Sequence, residues 1–227
     1  MDERRWEQVA AATGIAFVVF LLISTFIVAQ PPDVDEASAG QIRSYYADNR
    51  SGIEFQAFLL GLTGILFIWF AGTFRSVLAS AEGEGRRLSL ISFAGAIGVL
   101  STLVPTVVVN LTLATGGVAG AVGEALFRYA SWYGVLVVFS IAVFVGAAAL
   151  SAGRTGVLPQ WFAWAGLAVA GLHLLQSLDL FLDADFLEPN GFLGYLNLIL
   201  VALWVLAASV LLLQRLGGTT RARARSS

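Results

Sequence analysis

The sequence predicts an all-α fold: a six-helix transmembrane bundle with a short amphipathic helix in its first outer loop. Three observations carry that expectation. The 227 residues are 58% hydrophobic and only 12% charged, about half the charged share of a soluble domain. Mean hydropathy is +0.81. Six apolar stretches reach the ~20 residues that a helix needs to cross a ~30 Å hydrocarbon core. They are too long and too continuous for barrel strands of about ten alternating residues, and only helices otherwise satisfy the backbone in lipid.

The first span is expected over about 9–30. Its apolar core, Gly14 to Ala29, is long for a signal peptide, and Ile27 stands where a cleavage site before Gln30 prefers a small residue, so a retained anchor is expected. Pro31 and Pro32 stop this helix. In the loop that follows, Ser38 and Gln41 have capping-box spacing. Ile42, Tyr45, Tyr46 and Asn49 then recur at helical intervals. They predict a helix over about 39–49, either lying on the outer surface with its tyrosines at headgroup level or turning its apolar face into the bundle mouth.

The second span is expected over 53–79 and the third over 88–114, with Pro105 midway and a kink there. The fourth is expected over 124–150, the fifth over 159–182 behind Pro159, and the sixth over 191–215. Trp161 and Trp164 mark the inner interface, and Tyr129, Trp132 and Tyr133 the outer one. Small residues four apart, Gly166 with Ala170 and Ala94 with Gly98, permit close helix approach within one chain or in a homo-oligomer. The basic tail, 217–227, is expected to be disordered and close to anionic lipid.

Arginine sets the orientation, because positively charged loops stay in the cytoplasm. All 13 basic residues are arginine. Arg4, Arg5, Arg75, Arg86, Arg87, Arg154, Arg215, Arg221, Arg223 and Arg225 fall on one side, and only Arg43, Arg50 and Arg128 on the other. Both termini are therefore expected to be cytoplasmic, in a cell inner membrane. Ten of the 15 acidic residues lie on the outer side, where they form either a cation-attracting rim or a solvated edge.

Several function classes are excluded or disfavoured. Without cysteine there are no disulfides, thiol nucleophiles or thiolate metal sites. A single histidine, His173, argues against bis-histidine haem and three-histidine zinc. Gly116, Gly117, Gly120 and Gly123 lack the preceding strand and the following Lys-Ser/Thr of a phosphate loop. A Ser177–His173 dyad at i, i+4 has no evident acid or oxyanion hole. The loops are too short for a nucleotide-binding domain. The expectation is therefore no enzyme, no cofactor, no metal and no nucleic acid.

The informative polar residues gather in the outer half of the bundle: Asn110 near the end of the third span, Glu124 and Arg128 opening the fourth, His173, Gln176 and Asp179 in the fifth, and Asn197 in the sixth. His173, Gln176 and Ser177 share an arc of about 100° on one helix face. Polar groups at membrane depth are costly and by default mark function. Two readings are open. The seven residues line an outward-facing vestibule for a small polar or cationic ligand, or they only hydrogen-bond neighbouring helices.

The stretches QPPDVDEAS, IRSYYADNR, FLLGLTGILFIWFAGTFRSVL, TGVLPQWFAWAGL and LWVLAASVLLL resemble an uncharacterised family of bacterial multi-pass integral membrane proteins, a domain of unknown function common in high-GC genomes. The resemblance covers nearly the whole chain and is weakest over 100–130. It implies topology and no activity. The leading expectation is a non-enzymatic accessory or scaffold subunit acting through helix packing. The alternative is a small-solute or lipid-binding membrane protein or transporter that uses the vestibule.

Overall fold

A computed structural model describes residues 3–34, 36–116, 118, 120–182, 186–188 and 191–224. All regular structure among them is helical: α1 (Glu3–Phe26), α2 (Ala39–Asp48), α3 (Arg50–Glu82), α4 (Arg87–Ala114), α5 (Ala121–Thr155), α6 (Gln160–Gln176) and α7 (Phe192–Ala224). A 3₁₀ turn, Ser177–Leu180, extends α6. Five helices, α3 to α7, are long and apolar enough to cross a membrane. The first expected span is shorter, with an apolar helical stretch of Ala11–Phe26. It stops before residue 30 for a local reason. A helix continued through Pro31 and Pro32 would drive their rings into the carbonyls of residues 27 and 28, so none runs through that stretch.

Pro105 does not break α4, which runs unbroken from Arg87 to Ala114. The basic segment behaves differently from its composition: α7 continues through it to Ala224, so the described part of the tail is helical rather than disordered.

The six long helices form a ring. Each of α3 to α7 packs on its neighbour in chain order, and α1 closes the ring between α3 and α7. An aromatic core fills the centre. Phe162 stacks on Trp204 at 4.7 Å between ring centroids, while Phe74 and Phe144 each meet Trp204 edge-on at 5.8 Å. Such offset and edge-to-face pairs match the ring quadrupoles and add to the area that they bury.

Glycines set how closely the helices approach. A Cβ on Gly166 would lie 2.7 Å from Nε1 of Trp204. The missing Cβ lets the indole N–H reach the Phe162 carbonyl at 3.3 Å. A Cβ on Gly95 would lie 2.5 Å from the Phe144 backbone nitrogen, so α4 and α5 touch backbone to backbone. The expected Ala94–Gly98 pair marks the right segment, but the contact faces are Gly95 and Gly98, the latter against Ser140.

Large apolar side chains cover the outside of the ring: Phe58, Ile65 and Ile68 on α3, Val104 and Val108 on α4, Trp164 on α6 and Leu203 on α7 are all exposed. Water-soluble proteins do not present apolar surface of that extent. Helix length, composition and surface are those of a multi-pass membrane protein.

Candidate functional site

The end of the bundle that carries α2 holds a set of bonded polar side chains. Ser38 opens α2 with a complete capping box, its hydroxyl accepting from the Gln41 amide and the Gln41 side chain accepting from the Ser38 amide. The helix does not lie free. Ile42 and Tyr46 are buried against Ile53, Leu113, Ala114 and Phe127, so the apolar face plugs the bundle mouth. Two phenols lock it there. Tyr46 Oη donates to Asn110 Oδ1 at 2.7 Å, and Tyr45 Oη donates to the Ala29 carbonyl at 2.8 Å. Burial raises the Tyr46 phenol well above its usual value, with a smaller contribution from Tyr45 beside it.

A second polar group staples α6 to α7. Asn197, 1% exposed, donates through Nδ2 to Gln176 Oε1 at 2.7 Å and to the Leu172 carbonyl at 3.2 Å. Its Oδ1 is buried with no hydrogen-bond partner among the described residues. His173, also buried, donates from Nδ1 to the Val169 carbonyl at 2.9 Å, one turn back on its own helix. A carbonyl can only accept, so this contact places the proton on Nδ1.

A third group surrounds a crevice of about 230 Å³ between α2 and the start of α5. Ile42, Tyr46, Leu113 and Ala114 form its apolar part, and Arg43 and Glu124 bring opposite charges to it. Gly116 and Gly120, both at positive φ, turn the α4–α5 connection around it. Glu124 does not pair with Arg128 one turn along α5. Arg128 and Asp179 are each engaged in an interaction of their own.

No family model, curated protein or solved structure matches this chain. Of the seven candidate residues, the structure joins Gln176 directly to Asn197, gives Asn110 to Tyr46, and sets Glu124 at the crevice. His173, Gln176 and Asn197 line neither that crevice nor the smaller one of about 10 Å³ beside Asn110.

The opposite end holds a polar knot absent from that set. Glu82, the last residue of α3, accepts from the backbone amides of Leu88 and Ser89 at 3.1 and 2.8 Å, and from Ser151 Oγ of α5 at 2.5 Å. It caps α4 with a carboxylate, which suits the partial positive charge of a helix start, and ties three helices together. Ser89 and Ser151 are fully buried. Six and seven residues separate Glu82 from the amides that it caps, a spacing with no standard capping signature, so the sequence alone holds no signal for it.

Proposed function

We propose that the chain is a six-span protein of a bacterial inner membrane, non-enzymatic, and acts as an accessory or scaffold subunit through its helix faces. The observation that carries this reading is how the polar groups within the helices are used. Gln176 binds Asn197 between α6 and α7. Gln56 Nε2 donates to the Ser24 carbonyl, joining α3 to α1, at 2.7 Å. Ser92 Oγ donates to the Phe144 carbonyl, joining α4 to α5, at 2.8 Å. Each bond holds one helix against the next around a centre filled with aromatic rings. Such an interior suits a rigid element whose contacts are made on its outer surface.

The place of α1 supports the sixth span. Ala11, Val18 and Ser24 are buried, and α1 fills the gap between α3 and α7. The ten-to-three division of arginines supports cytoplasmic termini. The likeness of the first hairpin to the high-GC bacterial family belongs to the same proposal.

The absence of native cysteine makes topology directly testable. Ser44→Cys should react with an impermeant maleimide in intact cells, and Gly85→Cys only after the membrane is opened. Role is tested by the size of the particle released from native membranes in mild detergent. A scaffold subunit runs well above the 24.1 kDa chain together with a second, stoichiometric protein. A lone chain that carries a solute across proteoliposomes would overturn the reading.

A further inference from the structure

The crevice beneath α2 is lined by one cationic and one anionic side chain, and neither side chain bonds another among the described residues. Arg43 extends from α2 and Glu124 from the first turn of α5. They pair neither with each other nor with any described residue. Opposite charges attract across a small space, and the helices that carry this pair are held in place. The capping box, the Tyr46–Asn110 bond and the Tyr45–Ala29 bond hold α2. The backbone of Glu124 is held by the helix that it opens, its amide bonding the Gly120 carbonyl at 3.1 Å.

We propose that this crevice binds a small amino-zwitterion, a primary ammonium joined through a few carbons to a phosphate or carboxylate. Glu124 receives the ammonium and Arg43 the anion. A ligand that carries both charges gains two charge-assisted contacts, one from each helix. A simple cation or anion satisfies one wall and leaves the other charge facing it. The apolar lining of Ile42, Leu113 and Ala114 suits the carbon linker between the charges. At ~30 Å³ per liquid water, a space of about 230 Å³ accepts a group of phosphoethanolamine size and excludes a whole lipid. The same chemistry occurs in free solutes and in aminophospholipid headgroups. The inference goes beyond the scaffold reading and does not depend on which side of the membrane α2 faces, so its failure leaves that reading intact.

The test uses the purified full chain and titrates phosphoethanolamine, ethanolamine and inorganic phosphate by calorimetry. Phosphoethanolamine should bind roughly tenfold or more tightly than either fragment, the scale of one charge-assisted contact. Arg43→Gln and Glu124→Gln should each weaken it by a similar factor. The exchanged pair Arg43→Glu with Glu124→Arg should recover most of the loss. Arg43 is exposed and Glu124 half-buried, so the variants should fold, as the near-ultraviolet signal of the tyrosines around Tyr46 will report. Nanodiscs then separate the sources. Competition by phosphatidylethanolamine but not phosphatidylglycerol assigns a headgroup, and its absence assigns a free solute. The proposal is overturned if the fragments bind as well as the zwitterion, if no zwitterion binds in either form, or if both single variants bind like the parent.

Discussion

Substituting Gly95 by alanine tests whether α4 and α5 are in backbone contact. The new Cβ would lie 2.5 Å from the Phe144 nitrogen, 2.8 Å from its Cα and 3.1 Å from the Ser140 carbonyl oxygen. All three are main-chain atoms, so no side-chain rotation relieves the overlap and α4 must retreat by roughly 1 Å to reach ordinary carbon contact distances. Overpacking of this kind costs about 1–3 kcal/mol. The retreat also stretches the Ser92–Phe144 hydrogen bond, 2.8 Å long and less than one turn away, at about 1 kcal/mol. Alanine returns up to about 1 kcal/mol through its better helix propensity. The net expectation is a loss of about 1–3 kcal/mol. Gly72→Ala on α3 is the control, because its Cβ would meet nothing within 4 Å, and it should be neutral or slightly stabilising. Reversible unfolding in mixed micelles, followed by tryptophan fluorescence, to which Trp204 in the aromatic core contributes, measures both. Equal stability of the two variants would refute the close crossing.

Three further outcomes are expected. Glu82→Ala removes the acceptor of three hydrogen bonds and should lower stability by about 2 kcal/mol; Glu82→Gln keeps the shape but points a donor at one of the amides, and should fall in between in the same unfolding assay. Asn197→Leu strands Gln176 Oε1 and should destabilise by about 1–3 kcal/mol, whereas adding Gln176→Leu removes the stranded amide as well and should recover most of the loss; a double variant worse than the single one would show that the pair does not act as a unit. Tyr46 supplies a pH dependence. Burial raises its folded value above the ordinary one near 10, so the folded protein holds that proton more tightly than the unfolded chain. Its contribution is complete below about pH 10 and is lost as pH rises beyond it. Stability measured from pH 8 to 11 should fall at the alkaline end, and Tyr46→Phe should flatten that fall.

The helices were legible in the sequence because apolar run length is a one-dimensional property. Arg50–Glu82, Arg87–Ala114 and Ala121–Thr155 enclose the stretches that hydropathy marks, and Phe192–Ala224 starts one residue inside the last of them. The capping box of Ser38 and Gln41 was equally legible, because its bonds join residues three apart. The first span was less so, since α1 ends at Phe26, short of the apolar run that continues to Ala29 and of the prolines that bar any helix beyond it.

The polar residues divide along a different line. Position along a helix assigned Asn110, Gln176 and Asn197 to one depth, but a partner also depends on azimuth and on which helix stands beside it. A step of one residue turns a side chain by about 100°, which is why Gly95 rather than Ala94 meets α5. Sequence by itself determined that this protein is a set of apolar helices with its polar groups near their ends, because both follow from local composition. Only the tertiary structure decided that Asn110 meets Tyr46, that Gln176 meets Asn197, that Glu82 ties α3, α4 and α5 together, and that Arg43 and Glu124 share one crevice. Each of those contacts joins different helices, and no local signal records which neighbour the packing of large and small side chains will choose.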